Sequence, residues 1–234
     1  MHHFRAPDAR RFISASLMIG IAFVIFGASF GVLSVSAGAS IAQSCAMSLL
    51  VFTGASQMSA VSVIASGGSV ASAFGGAVLL SGRNAVYGLA MSPVLKEGSL
   101  ASRLLGAQWV IDETTAVVSA ETDPATRRTA FWISGAILYA SWNIGTLLGA
   151  LVGSSINPSD FGLDAAFPVM FTAMIAPHLR TSAGRKAALF GAVAAVALAP
   201  FMPIGLPILV SALGMLFGIK PTLNEQAATT DGAP

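Results

Sequence analysis

The stretch FISASLMIGIAFVIFGASFGVL, residues 12–33, decides the fold class of this chain because it is apolar throughout and carries no charge. A helix needs about 20 mostly apolar residues to cross the hydrocarbon core of a bilayer. Arg10 and Arg11 precede the run, and VSA at 35–37 resembles a cleavage site, but the apolar core of a secretory signal is only about 7–15 residues long. We therefore expect the first membrane-spanning helix here, with a cleaved signal as the alternative.

The composition of the whole chain also indicates that lipid, and not water, is its main solvent. The 234 residues are 55% hydrophobic and 9% charged, whereas an average soluble domain is about a quarter charged. The net charge is only +2 and the basic residues are scattered, which disfavours a nucleic-acid partner. The single cysteine, Cys45, allows no internal disulfide. His2, His3 and His178 lack the spacing of a zinc or haem site, so we predict no metal and no cofactor.

The apolar segments predict an all-α polytopic membrane protein with seven or eight transmembrane segments, some of them short or broken. Their length and lack of alternation favour helices over barrel strands of about 9–11 residues. A faint likeness between 26–40 and 139–155 suggests two related halves, as in many secondary transporters. We divide the chain into a cytoplasmic N-terminus (1–11), a single transmembrane permease domain (12–219) and a disordered polar tail (220–234). The segments are 12–34, 41–66, 69–93, 103–120, 129–155, 164–179, 186–202 and 205–219.

Basic residues predict the orientation through their enrichment in cytoplasmic loops. The loop 157–164 carries no cation and is expected outside, which puts the N-terminus in the cytoplasm. Lys96 and Arg103 fit this scheme poorly, which indicates a broken helix before them. The cations on which the orientation depends are Arg5, Arg10, Arg11, Arg127, Arg128, Arg180, Arg185 and Lys186.

Three charges stand inside apolar segments: Arg83, Asp112 and Glu113. Each costs about 2.5–3.5 kcal/mol at the centre of a spanning helix, so such residues usually face a polar interior. The two acids are adjacent in QWVIDETTAVVSA, residues 108–120, and neighbours on a helix point about 100° apart. One acid can pair with Arg83 while the other faces a cavity or a partner subunit, unless the segment unwinds there. A structural ion pair and direct transport chemistry both stay open.

Other polar side chains accompany these charges. A guanidinium such as that of Arg83 suits a carboxylate, including that of an amino acid, and Tyr87 lies one helical turn further on. Gln57 either makes an interhelical hydrogen bond or contacts substrate, and Asn143 has the same two interpretations. These residues and the two acids are the candidates for substrate binding or coupling.

Glycines recur every four residues in GTLLGALVG, at Gly145, Gly149 and Gly153. Gly27 and Gly31 repeat the spacing. Side chains four apart share a helix face, so each series predicts a face on which another helix packs closely, either within the chain or in a partner.

Several segments resemble the AzlC-type permeases. ASIAQSCAMSLLVFTGASQ, at 39–57, resembles that family's signature at the end of the second span. In RNAVYGLAMSP, at 83–93, Arg83 matches a second motif, but the family's Asn and His fall on Ser81 and Asn84. IDETTAV, SWNIGTLLGALVGSSI and GLDAAFPVMFTAMIAP resemble later stretches, so the likeness extends from about 12 to 218. The residues that fit the two motifs are Ser48, Phe52, Gly54, Ala55, Gln57, Arg83, Tyr87 and Gly88.

The resemblance implies a secondary transporter that exports valine, leucine and isoleucine, and in some members methionine, across the inner membrane, driven by the proton gradient. It also implies a small AzlD-type membrane subunit as partner, beside the amino-acid substrate and membrane lipid; a homo-oligomer stays open. The alternative is a channel-like or non-autonomous subunit that is active only with its small partner. An enzyme is not expected, because neighbouring acids on one segment cannot form an aspartyl dyad.

Overall fold

The computed structural model describes the chain over 6–155, 178–202 and 206–211 and at a few positions between and after them; the side chain of Arg83 lies outside this description. The described residues form helices and no strand, which confirms the predicted all-α class. The predicted loop 157–164, most of the predicted segment 164–179 and the predicted tail 220–234 lie outside the described residues.

The chain divides into two compact units, Met1–Phe167 and Pro168–Pro234. The helices of the first unit are α1 (Ala6–Ser36), α2 (Ile41–Leu50), α3 (Ala55–Ala65), α4 (Val70–Leu95), α5 (Leu100–Gln108), α6 (Asp112–Ser119) and α7 (Pro124–Gly153). Those of the second unit are a 3₁₀ helix (His178–Arg180), α8 (Ser182–Leu198) and α9 (Leu206–Ser211).

Local sequence fixes where most helices of the first unit begin and end. Gly38 and Gly67 adopt φ values of 94° and 80°, the left-handed conformation that commonly ends a helix, after α1 and α3. Helices α2, α4, α5 and α7 each begin after a residue whose side-chain oxygen accepts a hydrogen bond from the backbone N–H three positions on. These N-caps are Ser40, Ser69, Ser99 and Asp123.

The long helices α1 and α7 run parallel and pack backbone to backbone. A methyl group built on Gly145 or Gly149 of α7 would overlap the carbonyl oxygen of Val24 or Ala28, and one built on Gly153 would lie 2.9 Å from Cα of Val32. Gly27 and Gly31 of α1 meet the backbone of α7 in the same way. The contacts advance four residues at a time along both helices, so the two glycine series lie against each other.

Two ion pairs lie at one end of the first unit. Arg11 Nη2 lies 2.7 Å from Glu121 Oε2, and Arg128 Nη1 lies 3.7 Å from Glu97 Oε2. These contacts bring together the start of α1, the α4–α5 loop, the α6–α7 loop and the start of α7. We call this the arginine end and the other the opposite end.

Helices α2 and α3 form a helical hairpin, hairpin A, whose turn is 51–54. The start of α2 lies at the opposite end, where Ser44 Oγ donates to Ser34 Oγ of α1 at 2.8 Å. Its far end reaches the middle of α1, where the Phe52 ring lies 6.3 Å from the Phe23 ring. Helix α2 therefore runs from the opposite end to the middle of the unit.

Helix α3 then returns to the opposite end. At its start Ser56 Oγ accepts a hydrogen bond of 3.0 Å from Ser81 Oγ, in the middle of α4. The short turn after Ala65 joins α3 to the start of α4, so the two helices are antiparallel. Helix α4 continues to the arginine end, where Glu97 follows it.

Helices α5 and α6 form a second helical hairpin, hairpin B, which starts at the arginine end and has its turn at 109–111. Trp109 in this turn packs on Gly135 and lies 5.8 Å from the Tyr139 ring, near the middle of α7. Val118 of α6 joins Phe12 of α1 in a buried cluster, and the chain then returns to the arginine end.

Hairpin A differs from the sequence expectation of one segment over 41–66, whereas for 103–120 the sequence leaves an unwound stretch open and the structure has the break of hairpin B. Because hairpin A does not cross to the arginine end, α4 ends there, and Lys96 falls among the other cations. Arg103, in the first turn of α5, lies at the same end. Both cations therefore lie at the same end of the first unit as Arg11 and Arg128.

Among the described residues, two helices are long and apolar enough to cross a membrane: α1, from Ala9 onward, and α7. Only 33% and 39% of their most apolar windows are buried, so most of this apolar surface faces outward, unlike that of a core helix in a soluble protein. Helix α4 has 26 residues and is about 39 Å long at 1.5 Å per residue, which also suffices to cross.

The second unit has its own packing. Thr181 caps α8, accepting from Gly184 N at 3.0 Å, and α8 ends before Pro200, which lacks the backbone donor that a helix needs. Helix α9 packs on α8, where Ser211 Oγ donates to the Gly191 carbonyl at 2.9 Å.

We predict that Gly149→Ala destabilises the first unit by about 1–3 kcal/mol, because the added methyl group would force α1 away from α7. The thermal unfolding midpoint of the detergent-solubilised protein measures this loss. Gly88→Ala on α4, where a methyl group meets no atom within 4 Å, is the matched control and should leave the midpoint unchanged or raise it slightly, because alanine favours a helix more than glycine does. Equal midpoints for the two variants would contradict the close packing of α1 on α7.

Candidate functional site

The turns of the two hairpins meet in the middle of the first unit. The carbonyl oxygen of Leu49, in the last turn of α2, accepts hydrogen bonds from Gln108 Nε2 of hairpin B at 3.1 Å and from the Tyr139 hydroxyl of α7 at 2.8 Å. The last carbonyls of a helix have no partner within it. One backbone oxygen therefore joins hairpin A, hairpin B and α7.

The two turns are built alike. In hairpin A the Gln57 side chain accepts from Gly54 N at 3.2 Å and donates to the Met47 carbonyl at 3.2 Å. In hairpin B the Thr114 hydroxyl accepts from Ile111 N at 3.1 Å and donates to the Trp109 carbonyl at 2.7 Å. Each side chain is the third residue of its half-helix, is fully buried, and joins that half-helix to the end of the preceding one.

Gln57 therefore joins the two halves of hairpin A. Its amide accepts a hydrogen bond from Gly54 N, which the break in hairpin A would otherwise leave unpaired at a cost of about 1–3 kcal/mol. It also donates to the Met47 carbonyl, which accepts a second hydrogen bond from Val51 N. A contact between Gln57 and substrate stays a prediction.

Asp112 and Glu113 are the first two residues of α6, both half-buried. The sequence leaves open whether the segment unwinds at the acids, and the structure has a break directly before them. The N-terminus of a helix carries a partial positive charge, which favours carboxylates in the first turn by typically 0.3–1 kcal/mol. This contribution offsets part of the cost of each acid inside a span, which is about 2.5–3.5 kcal/mol. The first turn of α3, the other half-helix that begins in the middle, contains no acid.

Arg83 lies on α4 between the two hairpin turns. Two residues before it, Ser81 bonds to Ser56 of hairpin A; one turn after it, Tyr87 packs on the buried cluster that includes Val110 of hairpin B. The backbone of Arg83 is therefore at the level where the hairpins meet. The predicted pairing of its side chain with Asp112 or Glu113 stays a prediction.

Hydroxyl groups connect α4 to the turn of hairpin A. Ser81 donates to Ser56, and Ser56 donates to Thr53. Ser56 is buried, while Ser81 and Thr53 are partly accessible. Asn143 lies elsewhere, on α7, where its Nδ2 donates to the Tyr139 carbonyl at 2.8 Å.

Aromatic rings surround the meeting point. Phe52 packs edge-on against Tyr139 at 5.2 Å, and Trp142 lies 5.9 Å from Phe23 and 6.1 Å from Phe30. Such pairs contribute about 0.5–1.5 kcal/mol beyond their buried area. They fix the position of the hairpin A turn against α1 and α7.

Sequence reasoning missed Gln108, Thr114 and Tyr139. A polar Gln108 directly before an aromatic residue in an apolar segment was an available signal, and so was a threonine three residues after a β-branched pair. Tyr139 gave no such signal, because its partner is 90 positions away.

Comparison with known proteins finds a matching protein family and several similar membrane proteins. The sequence model of the AzlC family, described as "AzlC protein", matches residues 18–156. The chain is 28% identical to "Inner membrane protein YgaZ" of Escherichia coli (strain K12), over 98% of this chain and 96% of that protein. It is 25% identical to an "Uncharacterized membrane protein" of Helicobacter pylori (strain ATCC 700392 / 26695), over 77% of this chain and 79% of that one. No solved structure matches the chain.

We predict that Gln57→Leu lowers the stability of the first unit by about 1–3 kcal/mol, because Gly54 N would lose its partner and the Met47 carbonyl would lose one of its two donors. The control is Gln43→Leu, which removes a side-chain hydrogen bond to the backbone N–H of Ser40 at the exposed start of α2. Thermal unfolding in detergent should show a clearly larger loss for Gln57→Leu. A loss no greater than that of the control would show that the turn of hairpin A does not depend on this amide.

Proposed function

The chain is a membrane protein that belongs to the AzlC family, and we propose that it is the large subunit of a secondary transporter that exports branched-chain amino acids. Valine, leucine and isoleucine are the expected substrates, with methionine as a further candidate. The proposed driving force is the proton gradient, and the protein acts as a carrier and not as an enzyme.

The observation that best supports this proposal is the meeting of two oppositely directed half-helix hairpins beside Arg83. Many secondary transporters bind substrate near the bilayer midplane, at discontinuous helices whose N-termini face anionic groups of the substrate. Helices α3 and α6 both begin at this level, one with a neutral first turn and one with two acids. This asymmetry suits a zwitterion.

In the proposed binding mode, the substrate carboxylate interacts with Arg83 and the neutral start of α3. The ammonium group interacts with Asp112 or Glu113, or one of these acids carries the coupled proton. Tyr87, Gln57 and Asn143 are the further polar candidates, and Gln57 already has backbone partners.

We place the arginine end in the cytoplasm, because cations concentrate there. Helix α1 then leads outward from a cytoplasmic N-terminus, α4 returns and α7 leads outward again, with hairpin A entering from outside and hairpin B from inside. The first unit thus contributes three spans and two re-entrant hairpins to the proposed total of seven or eight segments. The two similarly built hairpin turns favour two related halves.

A small AzlD-type membrane subunit is the proposed partner. Many apolar side chains of the first unit are exposed along α1, α4 and α7, which leaves room for a further membrane helix as well as lipid. If that subunit is indispensable, the chain is a non-autonomous component; expression with and without it distinguishes this case from an autonomous carrier.

The test is efflux of radiolabelled valine, isoleucine, leucine and methionine from preloaded cells or vesicles, with and without a pH gradient. Wild-type chain, expressed with its small subunit, should export the branched-chain substrates faster when the gradient is present. Arg83→Ala should reduce efflux to background while membrane expression is maintained, because the substrate carboxylate loses its partner. Of Asp112→Asn and Glu113→Gln, one should abolish the response to the gradient.

Arg103→Ala is the matched control, since Arg103 is exposed at the arginine end, away from the hairpin turns. It should export like wild type. Normal efflux from Arg83→Ala would remove that residue from the proposed mechanism, and absence of efflux from wild type with its partner would refute the proposed function.

A further inference from the structure

A groove of about 790 Å³ opens between α2 on one side and α3 and α4 on the other. Its outer limit is formed by Gly38, in the α1–α2 loop, and Val70, at the start of α4. Its inner limit is formed by Val51 and Ser81, next to the turn of hairpin A. The groove therefore extends from the opposite end of the unit to the level at which the two hairpins meet.

The groove has an apolar wall and a polar inner limit. Val61 and Ile64 of α3, Ala77 and Val78 of α4, and Met47 of α2 supply aliphatic surface along its length. At the inner limit Ser81 exposes part of its side chain and is the first of three hydrogen-bonded hydroxyl groups that continue through Ser56 to Thr53. The hydrogen bonds within this row offset the cost of placing hydroxyl groups in an apolar region, and the partly accessible Ser81 can meet a ligand with polar groups at one end.

We propose that this groove is the outward half of the transport path. A small aliphatic zwitterion would place its side chain against Val61, Ile64 and Val78, and its polar groups at Ser81. This inference rests on the proposed function and adds to it the route and the residues that contact the side chain. Small residues at Ala60 and Ala77 keep the groove open, so larger side chains there should close it.

Thiol accessibility tests the route directly. In a Cys45→Ser background, Ala77→Cys should react with a membrane-impermeant anionic methanethiosulfonate added from outside. Leu79→Cys is the matched control, because Leu79 is on the same helix, is 48% exposed and does not line the groove. We expect Ala77→Cys to react at least about tenfold faster, since the reactive thiolate is disfavoured in apolar surroundings and forms in a hydrated groove. Saturating valine should slow the reaction at Ala77→Cys, and lysine should not.

Transport gives a second measurement. Ala77→Trp, which fills the groove, should reduce valine efflux to near background, whereas Leu79→Trp, which points away from it, should export like wild type. Both variants are compared at equal membrane expression and after detergent extraction as monodisperse protein.

The outcomes separate this inference from the proposed function. Equal labelling of Ala77→Cys and Leu79→Cys, or labelling that valine does not slow, overturns the inference. Normal export by Ala77→Trp also overturns it while the exporter proposal stands. If wild type exports none of the branched-chain substrates, the proposed function fails, and protection of Ala77→Cys by valine would still support the groove as a binding route.

Discussion

The first unit depends on satisfying the backbone hydrogen bonds of two helices that stop in the middle of an apolar region. Lipid offers no partners for exposed amide and carbonyl groups, so a break in a helix is tolerated only where protein supplies them. Here the partners are few and specific. Gln57 and Thr114 join the two halves of each hairpin, and Gln108 and Tyr139 converge on the Leu49 carbonyl.

The close packing of α1 on α7 provides the frame for these breaks. Parallel helices in contact through glycine leave no space for side chains at Gly145 and Gly149, and so hold the middle of α7 at a fixed distance from α1. Tyr139 and Trp142 project from that middle portion onto the turn of hairpin A. Because the aromatic side chains are fixed on a rigid helix pair, the turn is held in place although its own backbone is irregular.

The same arrangement explains the adjacent acids. In a continuous helix Asp112 and Glu113 would lie in the middle of a span, where each is costly. At the start of α6 they lie at the positive end of a half-helix, with Arg83 on the neighbouring α4 at a similar level. Under the proposed function, one of these two acids carries the coupled proton or meets the substrate ammonium group.

The apolar run at 12–33 predicts α1, and the glycine spacing at Gly145, Gly149 and Gly153 predicts a close-packing face. Neither identifies α1 and α7 as neighbours. The breaks were less predictable. In VFTG, at 51–54, the glycine is a local sequence signal for a break, and Gly54 indeed adopts a φ of 60°. In hairpin B, by contrast, Trp109, Val110 and Ile111 are compatible with a continuous helix in an apolar segment. Both breaks depend on hydrogen bonds from residues distant in the sequence, such as Tyr139, which a local pattern does not contain.

The most direct test of this account is to measure on which side of the membrane the loops that flank the two hairpins lie. In a Cys45→Ser background, Ser36→Cys and Ser66→Cys should both react with an impermeant thiol reagent in intact cells. Lys96→Cys and Thr122→Cys should react only after permeabilisation. If Ser36→Cys and Ser66→Cys label from different sides of the membrane, the segment 41–66 crosses it, and the meeting of two re-entrant hairpins at mid-depth is wrong.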